Sequence, residues 1–223
     1  MTPPPTHHAI AIDGPAASGK STLARELARR LGLVMVNSGA MYRAVTWAAI
    51  NRGIDPADAP AVVRMLDSLE ITCGSDGSSS TILIDGRHPG DEALRAEAVN
   101  SAVSTVAAIP EVRERLVALQ RDYLARTSVV MEGRDIGSVV FPDTPFKIYV
   151  TADEAVRAKR RRAMGEIDSV STRDAADSKR KTAPLVVAPG AAVLDNSAHT
   201  IESGVQAAID ILKQQGWNQP VEP

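Results

Sequence analysis

Gly14-Pro15-Ala16-Ala17-Ser18-Gly19-Lys20-Ser21, with Thr22 completing the loop, fits the phosphate-binding pattern G-x-x-x-x-G-K-[ST] at every fixed position. The run before it, Ala9-Ile10-Ala11-Ile12, is short and apolar and predicts a buried strand. The run after it spaces Leu23, Leu27 and Leu31 four residues apart, with Ala24 and Ala28 beside them, which predicts a helix with one core face. A loop between that strand and that helix aims successive backbone N–H groups at one spot, and the helix N-terminus adds partial positive charge there. Gly14 and Gly19 permit positive φ and a close approach of phosphate. Lys20 has the reach for the β- and γ-phosphates, and the Ser21 hydroxyl is a ligand for Mg²⁺. A chance match arises in about one chain in a hundred of this length. The loop marks a nucleoside triphosphate site, but by itself it does not separate a kinase from a GTPase switch or a motor ATPase.

Working outward, the 223-residue chain suits one α/β domain with an insertion and is long enough to bury a substantial core. A net charge of −2 provides no global field for nucleic acid or an anionic membrane. Cys73 is the only cysteine, so no intramolecular disulfide forms, and the composition fits a reducing cytoplasmic setting. No apolar run approaches the roughly 20 residues of a membrane span. Residues 1–8 lack the basic and apolar regions of a signal peptide and read as a disordered tail leading into the first strand, as do the polar, Pro-ended residues 216–223 at the other end.

Further apolar runs at 33–36, 128–131, 146–150 and 191–194 predict strands, with helical patterns at 39–52, 57–69, 110–126, 153–163 and 200–214. Strands alternating with helices imply a parallel sheet covered on both faces. Residues 69–108 break the rhythm. Leu69 to Cys73 and Thr81 to Ile84 flank a Gly/Ser-rich turn and predict a small hairpin, followed by a helix around 97–107. The chain thus divides into a core of 9–68 and 109–215 and an inserted lobe of 69–108. A cation-rich segment runs from Arg157 to Lys181 in an otherwise acidic chain, and predicts a phosphate-facing flap at 164–183.

Besides the phosphate loop, three motifs resemble those of bacterial cytidylate kinases: Asn37-Ser38-Gly39-Ala40-Met41-Tyr42-Arg43; the run from Glu132-Gly133-Arg134-Asp135 to Phe141-Pro142-Asp143; and Arg173-Asp174-Ala175-Ala176-Asp177-Ser178-Lys179-Arg180. The likeness extends from about Ile10 to Leu212. It implies a P-loop kinase core with a five-stranded parallel sheet in the order 2-3-1-4-5, a small α+β lobe for the nucleoside monophosphate, and a short lid. It also implies transfer of the ATP γ-phosphoryl group to CMP or dCMP with Mg²⁺, by a cytoplasmic monomer without nucleic-acid or membrane partners. By resemblance Arg43, Arg134 and Arg180 clamp the phosphates; Ser104, Arg113 and Asp135 read cytosine; Arg173 and Asp177 contact the ribose; and Ser38 is a further contact on the acceptor. Lys20, Arg134, Arg173, Asp177 and Arg180 then form the catalytic set. Glu132 faces the Mg²⁺ waters, and Arg157 and Arg161 pack on adenine. The sequence departs from the family where only Gly165 to Thr172 spans a usually longer flap, where Asn37 stands in place of a common Asp, and where Lys179 replaces a common Asn.

The chemistry agrees with the resemblance. Phosphoryl transfer between nucleotides gathers negative charge and needs little covalent work, so positioning and electrostatic stabilisation dominate. Planar Arg forks suit phosphate. The acceptor phosphate is already anionic, so no dedicated base is required. The rival readings are another small-molecule kinase on the same core, of uridylate or shikimate type, and a nucleotide-gated regulatory ATPase. A GTPase-type switch would carry a guanine-reading N-K-x-D motif, which is absent.

Overall fold

The computed structural model describes residues 7–163 and 185–221. The expected flap at 164–183 lies outside the described residues, and with it Arg173, Asp177 and Arg180. Strand β1 (Ala9–Asp13) runs into the phosphate loop and helix α1 (Lys20–Leu31), then β2 (Val34–Asn37), α2 (Ser38–Asn51) and α3 (Ala59–Asp67). A hairpin of β3 (Ile71–Ser75) and β4 (Ser80–Ile84) follows, then α4 (Asp91–Arg95), α5 (Glu97–Val106) and α6 (Pro110–Arg121). The chain continues through β5 (Val129–Gly133), β6 (Lys147–Thr151), α7 (Glu154–Ala163), β7 (Ala192–Asp195) and α8 (Ile201–Gln214).

The main sheet has five strands in the order β2-β5-β1-β6-β7, every neighbouring pair parallel. Leaving out the hairpin, this is the predicted order 2-3-1-4-5. Both faces of the sheet are buried, and the two-residue period of the strands sorts side chains between two cores. Ala9, Ala11, Val34, Val36, Val129 and Met131 face the layer with α2, α3 and α6. Ile10, Ile12, Met35, Val130, Ile148 and Val150 face α1 and α8. Leu23, Ala24, Leu27, Ala28 and Leu31, the predicted stripe of α1, are all buried.

The hairpin pairs antiparallel as a separate two-stranded sheet. Its apolar residues Ile71, Cys73, Ile82 and Ile84 nevertheless belong to the same core as α2, α3 and α6. Its turn also covers the free edge of β2: Met35 N donates to Ser78 O at 2.9 Å, and Asn37 N donates to Ser80 Oγ at 3.2 Å. An open parallel edge would otherwise be a template for another strand.

The chain ends require a correction. His7, His8 and Trp217, within the described part of the tails, are packed. His7 Nδ1 lies 2.8 Å from Leu124 O, and His8 N donates to Ser128 Oγ at 3.0 Å. Trp217 is buried and forms an edge-on aromatic cluster with His8 and Phe146, with centroids 5.0 Å apart for Phe146–Trp217. One indole ring buries more apolar surface than the polar residues around it suggest. The predicted strand at 69–73 begins instead at Ile71, because Leu69 N donates to Leu66 O and completes the end of α3.

Candidate active site

With every strand of the main sheet parallel, all C-terminal strand ends lie along one edge, and ligands of such folds bind outside that edge. Four connections meet there: β1 to α1, β2 to α2, β5 to the turn that follows it, and β7 to α8. They border a cleft of about 1050 Å³.

The phosphate loop is held tightly. Gly14 has φ 152°, and a Cβ there would lie 2.1 Å from Val150 O. Gly19 has φ 91°, and a Cβ there would meet Asn196 Nδ2 at 2.4 Å. Both positions therefore exclude a side chain. Ala17 is also left-handed, at φ 57°, an uncommon state for a residue with a Cβ. Lys20 is buried in the cleft, with Nζ 3.2 Å from Pro15 O and 4.0 Å from a Glu132 carboxylate oxygen. Ser21 Oγ donates to the other Glu132 oxygen at 2.9 Å. A hydroxyl beside a buried carboxylate is the hard, oxygen-only donor set that suits Mg²⁺. Among the described residues no group of three or more His, Cys, Asp or Glu forms a ready-made metal cage.

Ser38 and Arg43 enter from α2. Asn37 caps that helix, its Oδ1 accepting from Ala40 N at 3.0 Å, so the amide in place of the common carboxylate still serves the cap. Ser38 Oγ donates to Glu132 O at 2.8 Å. Gly133 makes this approach possible, since a Cβ there would lie 2.6 Å from Ser38 Oγ. Arg43 Nε donates to Asn100 Oδ1 at 3.3 Å, and both residues line the cleft.

Arg113, from α6, and Asp135, from the turn after β5, form a buried ion pair, Nη2 to Oδ2, and each is 5 % exposed. Arg113 Nη1 also donates to Ala107 O at 3.3 Å, and its guanidinium lies 5.6 Å from the Tyr42 ring centroid. Ser104 and Arg134 line the same cleft. The arrangement therefore offers one cation-lined cleft with an acceptor–donor pair sunk into its wall.

Of the predicted site residues, Ala16, Ala17, Gly19, Lys20, Ser21, Thr22, Ser38, Arg43, Ser104, Arg113, Glu132, Arg134, Asp135 and Arg161 come together around this cleft. Gly14, Pro15 and Ser18 belong to the phosphate loop without lining the cleft. Arg157 does not line it either. Its Nε donates to Ala152 O at 3.0 Å, and its Nη1 to Ala16 O at 3.4 Å.

The chain matches the family model described as cytidylate kinase over residues 10–214. It belongs to the cytidylate kinase family. A cytidylate kinase of Pelotomaculum thermopropionicum is 43% identical over 212 residues, covering 90% of this chain and 93% of that relative. One of Streptomyces avermitilis is 39% identical over 217 residues, covering 92% of this chain and 93% of the relative. One of Mycobacterium avium is 41% identical over 218 residues, with 92% and 95% covered.

Beyond the motifs of the cytidylate kinase family, the sequence reading missed four residues that shape the cleft. Arg160 Nη1 donates to Ser18 O at 3.2 Å and its Nη2 to Asn196 O at 2.8 Å, while Asn196 Nδ2 donates to Ser18 O at 2.9 Å. Asn100 holds Arg43. Asp13, the last residue of β1, is buried and accepts from Ile136 N and Gly137 N, both at 2.8 Å. Burial pushes the Asp13 carboxyl up to about 6, against the pull of those two N–H donors. The one available signal in the sequence was an acidic residue closing an apolar run directly before the phosphate loop, which did not reveal its partners.

Proposed function

We infer that the chain is a nucleoside monophosphate kinase that moves the γ-phosphoryl group of ATP onto CMP or dCMP, yielding ADP and CDP or dCDP. The observation that carries this reading is the single cleft that joins Lys20 and Ser21 of the phosphate loop to Arg43, Arg134 and the buried Arg113–Asp135 pair. Lys20 neutralises charge on the β- and γ-phosphates. Arg43 and Arg134 hold the acceptor phosphate in line, and Arg180 joins them from the flap. Asp135 accepts from the cytosine 4-amino group, Arg113 donates to N3, and Ser104 adds a further contact. Arg173 and Asp177 take the ribose hydroxyls, and Arg161 borders the donor base, while Arg157 braces the phosphate loop through Ala16 O. Ser21, and Glu132 through water, would hold Mg²⁺, which would supply charge neutralisation on the donor phosphates.

The reaction runs by positioning and electrostatics, with no covalent intermediate on the protein. The enzyme works as a cytoplasmic monomer. The lone cysteine supports the cytoplasmic setting. Among the described residues no helix is long and apolar enough to cross a membrane.

The experiment that tests this reading offers ATP and Mg²⁺ with CMP, dCMP, UMP, AMP, GMP and shikimate in turn and follows ADP. The expected result is rapid ADP formation with CMP or dCMP. Rapid turnover with shikimate, or ATP hydrolysis indifferent to every acceptor, contradicts it.

A further inference from the structure

Asp13 occupies an unusual place. It is the last residue of β1, and Gly14, the first of the phosphate loop, follows it directly. It lies opposite Gly133 in the register of β1 with β5. Its two carboxylate oxygens are divided between two donors: Oδ1 accepts from Ile136 N and Oδ2 from Gly137 N, each at 2.8 Å. Those two amides come immediately after Arg134 and Asp135. A carboxylate accepts on both oxygens, whereas a carboxamide presents N–H₂ on one side. The group is 4 % exposed, and its charged neighbours are Asp135 and Arg134 themselves. Burying a carboxylate in such a place opposes folding, so a link of equal geometry but no charge would stabilise the fold better.

We propose that Asp13 is a positioning residue that fastens the Arg134–Asp135 turn to the root of the phosphate loop, so that acceptor nucleotide and donor phosphates are held in one frame. It touches neither nucleotide. The bidentate link fixes the backbone from which Arg134 and Asp135 project. The transfer needs the reacting oxygen and phosphorus in near-contact, where small misplacement costs rate steeply. The role assumed for Arg134 and Asp135 rests on the proposed function above; the link itself does not.

The test is Asp13→Asn, which keeps the shape, retains one acceptor and sets N–H₂ against the other amide. Three quantities are read: steady-state kinetics with CMP and UMP, calorimetric affinity for a non-hydrolysable ATP analogue, and amide hydrogen exchange of the 134–138 turn. The expected outcome is a rise of about tenfold in KM for CMP, the size of one lost charge-assisted hydrogen bond. A smaller preference for CMP over UMP and ATP-analogue affinity within about twofold of wild type accompany it. The Ile136 and Gly137 amides exchange faster, while Ala11 and Ile12 of β1 do not. A KM for CMP left unchanged, or equal losses of CMP and ATP-analogue binding, overturns the proposal, because a residue that only stabilises the fold acts on both sites alike. The exchange arm uses no substrate. If wild type fails to phosphorylate CMP, the proposed function falls while exchange still decides the link. If Asp13→Asn does not fold, the wild type decides it: protection of Ile136 and Gly137 equal to that of β1 supports the link, and exchange at the rate of an open turn overturns it.

Discussion

At the Arg113–Asp135 pair two buried charges satisfy each other, and under the proposed function an arriving base shares or replaces that bond. Cytosine offers a 4-amino donor and an N3 acceptor, which match a carboxylate and a guanidinium; uracil reverses both. Asp135→Asn leaves the Arg113 charge buried without its counter-ion, so urea unfolding is expected to show a loss on the order of 3 kcal/mol. The same variant supplies an amide that donates to the uracil carbonyl, so the CMP-to-UMP ratio of kcat/KM narrows. Ser104→Ala, which removes a hydroxyl able to donate or accept, leaves that ratio near wild type. An unchanged ratio in Asp135→Asn contradicts the base-reading role. Gly133 makes a second residue-scale case. A methyl group there would lie 2.6 Å from Ser38 Oγ and 2.7 Å from Ile136 Cδ1. Gly133→Ala therefore displaces Ser38 and the turn together. A stability loss of roughly 1–3 kcal/mol by overpacking and a raised KM for CMP are expected from unfolding and kinetic measurements.

At the scale of elements, the end of β1 and the turn after β5 are coupled through Asp13, and that coupling has a pH signature. The folded-state carboxyl is raised to about 6 from an ordinary value of 3.8. Between those values the native state binds more protons than the unfolded chain, so this group's contribution to stability is full at low pH and is lost as pH rises through about 6. The span corresponds to about 3 kcal/mol. Wild type is therefore expected to lose stability relative to Asp13→Asn between pH 4.5 and 7 in urea unfolding; a constant difference contradicts the burial argument. This coupling was hidden in the sequence, because its partners are backbone amides more than a hundred residues away. The same holds for Asn196 and Ser18, which lie 178 residues apart. What the sequence did reveal was local. The unbroken apolar run Ala9 to Ile12 and the four-residue spacing of Leu23, Leu27 and Leu31 reflect which faces meet the core, and the chain carries that pattern openly. Five-residue α4 is too short to show a helical period. Arg157 and Arg160 both donate to carbonyls of the phosphate loop, while Arg161 lines the cleft, and the spacing of three neighbouring guanidiniums on one helix did not assign these parts.

At the scale of the molecule, the parallel sheet gathers four loops at one edge, and the two-sided core makes that edge a rigid frame for the cleft. The residues proposed for donor and acceptor then sit on connections from different strands, which suits a reaction that brings two nucleotides together. Removing the loop lysine separates the frame from the chemistry. Lys20→Ala is expected to nearly abolish turnover, since a preorganised cation of this kind supplies several kcal/mol in the transition state, while circular dichroism stays that of the wild type. The central claim is that this frame selects a cytosine nucleotide as phosphoryl acceptor. Its most direct test is kcat/KM for CMP against UMP at saturating ATP and Mg²⁺. A site that hydrogen-bonds a substrate group and is partly open to water is expected to favour CMP by about 10²- to 10³-fold. Equal use of UMP and CMP would contradict it.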